Sequence, residues 1–255
     1  ETISTNALGT ANILDALRTL EKKVVAVMIT SDKAYDNVEW VWGYRESDRL
    51  GGKDPYSASK GMAELVIRSY VESYFNAPNS NVRIGITRAG NVIGGGDWSD
   101  NRLIPDCIKS LSKNKKIILR NPNFSRPWQL VLEPLNGYLV LAEKQFKNPS
   151  KYSGAWNFGT ETKSSVSVRT IVEYMIKFWG KGKIKIFNKN KFHEQQNLQI
   201  DSSKAKKLLN WKTSYSTKKA VEVTTEWYSK VLKNKINPRD ITNQQIKEYM
   251  KNSFK

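Results

Sequence analysis

Cysteine and histidine are almost absent from this 255-residue chain, with Cys107 and His193 the only examples. A single cysteine excludes an intrachain disulfide, and together the two residues are too few for a Cys/His metal site. No apolar run approaches the ~20 residues that cross a bilayer, so a membrane role is not expected. These scarcities fit a reducing, cytoplasmic setting. Acidic residues are also outnumbered, 24 against 42 Lys and Arg, giving a formal charge of +18. Such a balance suits nucleic acid, but the lysines are scattered and no RNP, zinc-finger or basic-zipper pattern accompanies them. The expectation is no nucleic-acid partner, and a solvated basic surface compatible with an anionic, phosphate-bearing substrate.

Hydrophobic residues make up 39% of the chain, with eight Trp and eleven Tyr, enough for one large or two small folded domains. Two short stretches organise it. Val24 to Ile29 is an apolar run that reads as a buried parallel strand. It delivers Thr30-Ser31-Asp32-Lys33 to its carboxyl end, where open α/β sheets place their chemistry. Tyr56-Ser57-Ala58-Ser59-Lys60 then opens a helical pattern, with the helix expected from Ser57 to about Phe75. Tyr56 and Lys60 fall four residues apart on one helix face, and an ammonium beside a phenol favours the phenolate.

The remaining pattern is α/β. Ser4 or Thr5 is expected to cap a helix to Leu20, and a long loop follows from Asp36 to Pro55. Val82 to Thr87 is the next strand, leading to Arg88-Ala89-Gly90-Asn91-Val92 and Gly94-Gly95-Gly96. Helix and strand patterns alternate beyond Gly96, ending in a tail helix capped by Thr242. Strand, helix, strand in this order predicts a Rossmann-like parallel sheet with a smaller α/β lobe. The expected division is 1–98 for the first domain and mainly 99–255 for the second, with the chain crossing back.

Ser31-Asp32-Lys33, Tyr56 with Lys60, and Arg88-Ala89-Gly90-Asn91 resemble the extended short-chain dehydrogenase/reductases that act on nucleotide sugars. Trp40-Val-Trp-Gly-Tyr-Arg-Glu46, Arg126-Pro-Trp-Gln129 and Leu132-Glu-Pro-Leu-Asn-Gly-Tyr138 extend the likeness over nearly the whole chain. Within that superfamily the chain most resembles the CDP-glucose 4,6-dehydratases. One departure is large: the family opens with a strand, a GxxGxxG turn and a helix that hold the NAD pyrophosphate, and nothing here matches that turn. With a helix beginning almost at Glu1, the expectation is a chain lacking about the first 100 residues of the family pattern.

The resemblance implies NAD as cofactor, CDP-glucose as substrate and CDP-4-keto-6-deoxyglucose as product, a deoxysugar precursor of the O-antigen kind. C4 is oxidised, water leaves across C5–C6, and the hydride returns to C6. Tyr56, as phenolate with Lys60 beside it, takes the 4-OH proton, and Ser31 orients the 4-oxygen. Asp32 is the acid for the departing C6 oxygen and Lys33 the base for the C5 proton. Thr5, Asn6, Tyr56, Lys60, Ala89 and Val92 are implied around the cofactor, and Ser31, Asn91, Arg102, Arg126 and Asn157 around the substrate. A homodimer is implied as well. His193-Glu194 sits where relatives bring an Arg to the diphosphate, and its role stays open. Plainer roles also stay open: backbone capping for Ser31, and a surface ion pair for Asp32 and Lys33. Other readings are a dTDP- or GDP-sugar epimerase or dehydratase, and a non-catalytic sugar-nucleotide-binding fragment.

Overall fold

The computed structural model describes residues 1–77, 79–160, 165–187 and 198–253. Two compact units emerge. The first comprises Glu1–Gly90, Pro134–Gly159 and Leu198–Lys212, and the second Asn91–Glu133, Thr160–Asn197 and Thr213–Lys255. The first break therefore falls at Gly90/Asn91 rather than at 98, and the chain returns twice to the first unit.

In chain order the elements begin with a π-helical turn, Ser4–Leu8, that runs into α1 (Gly9–Arg18). Then come β1 (Val24–Ile29), a 3-10 turn Asp32–Ala34, α2 (Pro55–Tyr70), β2 (Val82–Ala89) and β3 (Val92–Ile93). They are followed by α3 (Leu103–Ser112), β4 (Ile117–Leu119), β5 (Ser125–Arg126), β6 (Gln129–Leu130) and α4 (Leu132–Lys147). Next are α5 (Pro149–Tyr152), β7 (Gly154–Phe158), β8 (Val166–Ser167), α6 (Val168–Trp179) and β9 (Ile184–Ile186). A helical turn Ala205–Leu209, α7 (Thr217–Leu232) and α8 (Pro238–Ser253) complete the chain.

The first unit is built on a parallel sheet in the order β1-β2-β7. Val24 pairs with Val82 and Ile29 with Thr87, and Gly85 pairs with Gly154. Alternation along β2 sorts its side chains to two faces. Ile84 and Ile86 pack with Leu14 of α1 and Ile67 of α2, whereas a side chain at Gly85 would meet Leu141 of α4. Trp156 and Phe158 of β7 join Leu141, Leu209 and Trp211 in a second core. The expected Rossmann-like layering is thus present, with helices covering both faces.

In the second unit one core holds Ile108 of α3, Ile171 and Met175 of α6, and Val221 and Tyr228 of α7. Glu133 is buried there, accepting from the Ser214 and Tyr215 amides and the Tyr249 hydroxyl of α8. Burial raises its pKa above the ordinary carboxylate range.

Two expected caps differ. Ser4 and Thr5 lie inside the first helical turn, which has no side-chain cap. Helix α8 starts at Pro238 rather than at Thr242, with Asn237 Oδ1 accepting from the Arg239 amide. Proline suits a first helical position because its missing N–H would have no partner there.

Candidate active site

Strand β1 ends at Ile29, and the chain folds at once into the turn Asp32–Ala34. Ser31 initiates it, its Oγ accepting from the Lys33 amide at 3.2 Å and donating to Asp32 Oδ1 at 2.8 Å. In this conformation the Ser31 hydroxyl is engaged by its own turn. Asp32 is buried and Lys33 is partly exposed.

Helix α2 packs against this turn. Its start is fixed by a capping box. Asp54 Oδ1 accepts from the Tyr56 and Ser57 amides at 2.9 and 3.0 Å, and Ser57 Oγ accepts from the Asp54 amide. The Ser57 hydroxyl is the main reason the Asp54 pKa is lowered, and the Lys33 ammonium adds to the shift. The lysine of the Ser-Asp-Lys turn and the N-terminus of the Tyr56 helix are therefore electrostatic neighbours. The loop closes the arrangement: a β-carbon at Gly52 would lie 2.2 Å from the Ala58 nitrogen, so only glycine lets the loop cross α2 this closely.

Tyr56 projects from the first turn of α2 and is 45% exposed, leaving its phenol accessible to a ligand. Lys60 Nζ lies 5.9 Å from the Tyr56 ring centroid. Burial lowers the Lys60 pKa, and no carboxylate among the described residues forms an ion pair with it. Asn6 Nδ2 donates to Ser59 Oγ at 2.9 Å, joining the first helical turn of the chain to α2 beside Lys60, while Thr5 is exposed.

Ser31, Asp32, Lys33, Tyr56, Lys60, Thr5, Asn6 and Ala89 all belong to the first unit, whereas Asn91, Val92, Arg102 and Arg126 belong to the second. Within that second unit, the Asn91 carbonyl accepts from the Gln129 amide, aligning β3 with β6. Arg102 immediately precedes α3 and is exposed. Arg126 of β5 donates to the Ser125 carbonyl, with its guanidinium 5.9 Å from the Phe124 ring centroid. Gly95 faces Trp227, whose ring would lie 2.1 Å from an added β-carbon. The glycine triplet therefore serves close packing within this unit. His193-Glu194 lies outside the described residues.

Asn157, expected around the substrate, is fully buried, and its side-chain amide bonds within the protein. Oδ1 accepts from the Tyr35 hydroxyl at 2.8 Å, and Nδ2 donates to the carbonyls of Tyr44 and Asp201. It therefore fastens the loop to β7.

Sequence reading missed Glu64 and Arg88, which form a fully buried ion pair. Burial, the largest single influence, acts to lower the Arg88 pKa, but the hydrogen bonds and charge of Glu64 together with those of Tyr35 outweigh it and the pKa is raised. A signal was present: Glu64 interrupts the apolar stripe between Ala63 and Ile67, and Arg88 ends a mostly apolar strand. Opposite charges at two interior positions call for each other. A separate groove of about 480 Å³, lined in part by Glu46, Arg68, Ile84 and Lys204, contains none of the expected site residues.

A parallel sheet with a Ser-Asp-Lys turn at a strand end, beside a helix presenting Tyr56 and Lys60, defines a Rossmann-type α/β chain. The family model for GDP-mannose 4,6 dehydratase matches residues 1–224, and the chain belongs to that family. It is 44% identical over 232 residues to CDP-glucose 4,6-dehydratase of Salmonella typhimurium, covering 89% of this chain and 65% of that protein. The chain thus spans just under two thirds of this curated relative. The structure is similar to dTDP-glucose 4,6-dehydratase from Bacillus anthracis in complex with NAD. The TM-score is 0.75 at 22% identity, over 89% of this chain and 68% of that one. It is equally similar to UDP-glucuronic acid 4-epimerase from Bacillus cereus, with a TM-score of 0.75 at 17% identity, over 90% and 68% of the respective chains. A dehydratase and an epimerase thus share this fold.

Proposed function

We propose that the whole protein is an NAD-dependent CDP-glucose 4,6-dehydratase. The observation that carries the reading is the turn Ser31-Asp32-Lys33, set against the helix of Tyr56 and Lys60. An acid and a base directly after the strand-end hydroxyl suit elimination, which a 4-epimerase does not require. The identity of 44% to the Salmonella typhimurium enzyme supports CDP-glucose over other nucleotide sugars.

Lys60 and Tyr56 fit the nicotinamide-ribose end of the cofactor: a half-buried ammonium without an acidic partner among the described residues, beside a partly exposed phenol. Thr5, Asn6, Ala89 and Val92 are proposed around the same group. When bound there, NAD would supply the hydride acceptor, and later donor, for the sugar. Tyr56, as phenolate, takes the 4-OH proton, and the Lys60 charge lowers the cost of that phenolate. Ser31 exchanges its bond with Asp32 for one to the 4-oxygen. Asp32, acting as the neutral carboxylic acid, gives its proton to the departing C6 oxygen, and Lys33, acting as the neutral amine, takes the C5 proton. Asn91, Arg102 and Arg126 serve the diphosphate, for which guanidinium forks are well matched.

A homodimer is part of the proposal, supported by the exposed apolar residues Leu8, Ile13, Met62 and Leu65 on the first helices and α2. A reducing, cytoplasmic location is supported by the single buried Cys107, whose thiol burial pushes up to about 12. No helix among the described residues is long and apolar enough to cross a membrane.

The test is turnover of CDP-glucose, dTDP-glucose and GDP-mannose by the whole protein with NAD. The expected result is a 4-keto-6-deoxy product from CDP-glucose at a kcat/KM about 100-fold above the others. Turnover of dTDP-glucose alone would overturn the specificity. Epimerised CDP-sugar without dehydration would overturn the reaction.

A further inference from the structure

Glu64 lies on the α2 stripe that carries Tyr56 and Lys60, at successive steps of four residues. Its Oε1 accepts from Thr30 Oγ1 at 2.7 Å and from Arg88 Nε at 2.7 Å, while Oε2 accepts from Arg88 Nη2. Thr30 directly precedes Ser31. Arg88 lies in β2 and also donates to the Tyr35 hydroxyl at 2.6 Å, which in turn donates to Asn157 of β7. One carboxylate on α2 is therefore tied to the carboxyl ends of all three strands of the sheet.

We propose that Thr30, Glu64 and Arg88 are positioning residues that set the register of α2 against β1, and so the approach of Tyr56 to Ser31. The proposal rests on the dehydratase reading above. Apolar packing between α2 and the sheet is non-directional and tolerates small slides. A carboxylate gripped by both edges of a guanidinium and by a hydroxyl does not, because its bonds are directional. Tyr56 is 45% exposed, so packing around its ring fixes the phenol only in part. The constraint comes from two turns further along the helix. A buried ion pair contributes little net stability over apolar residues of similar size, which leaves geometry as its distinctive contribution.

The two roles separate in the double variant Glu64→Met with Arg88→Met. It keeps the volume, and Tyr35 can still donate to Asn157 and Thr30 to the Thr87 carbonyl. In the whole protein this variant is expected to fold with a Tm near that of the parent. KM for CDP-glucose should stay within about threefold, while kcat per active site falls about 10- to 100-fold. Amides of α2 should exchange faster with deuterium at unchanged Tm. Thr30→Val is a milder probe that removes one hydrogen bond, and its kcat should fall while Thr30→Ser restores it. Parent kcat and parent exchange in a folded double variant would overturn the proposal. If the parent itself turns over no nucleotide sugar, the dehydratase reading fails, and α2 exchange alone then decides the positioning claim.

Discussion

Lys60 carries a charge in a half-buried place, and burial lowers its pKa from the ordinary 10.5. The folded state therefore binds this proton less tightly than the unfolded chain does. The resulting cost is fully present below the folded pKa and disappears as pH rises past about 10.5. Lys60→Met is expected to raise Tm slightly at pH 7, with the gain shrinking toward alkaline pH, while kcat falls at least about 100-fold. Thermal melts across pH, paired with initial rates, check both halves. Asn157 shows why residues of similar chemistry differ in legibility. A polar side chain at a strand end suggests a ligand contact, but its partners Tyr35, Tyr44 and Asp201 are remote in sequence. Ser31, Asp32 and Lys33 stand out because a strand end, a hydroxyl, an acid and an amine are adjacent in the chain.

At the scale of elements, β1 occupies Val24–Ile29, where the apolar run placed it, and α3 occupies Leu103–Ser112. Long periodic segments announce themselves, whereas the two-residue pairings β3–β6 and β5–β8 have no period to read. Helix α2 is the element on which the site depends, and its start is secured by Asp54. Asp54→Ala is expected to cost about 1 kcal/mol, measured by denaturant unfolding at pH 7. Because the folded pKa of Asp54 is lowered from 3.8, the cap's contribution is present above pH 3.8 and is lost as pH falls through the folded value. Parent and variant should thus converge in stability at strongly acidic pH. Gly52→Ala drives a β-carbon into the backbone at Ala58. It should lower both Tm and kcat, by displacing the loop from the first turn of α2.

At the scale of the whole molecule, the α/β class and the parallel sheet followed from the order of strand and helix patterns. Of the two returns of the chain to the first unit, Pro134–Gly159 places β7 at the edge of the sheet and Leu198–Lys212 brings Leu209 and Trp211 into the core with Trp156 and Phe158. Hydrophobic periodicity reports that a segment is buried but not against what, so it could not assign these segments to a unit. The likeness to both a dehydratase and an epimerase shows that this fold is a platform shared by more than one reaction.

The most direct test of dehydration is the fate of the hydrogen on C4. CDP-glucose deuterated at C4 is incubated with the whole protein and NAD, and the product is examined by NMR. The account predicts deuterium on the C6 methyl of a 4-keto sugar, with a solvent-derived hydrogen at C5. Deuterium retained at C4 of a sugar that still bears its 6-hydroxyl would contradict it.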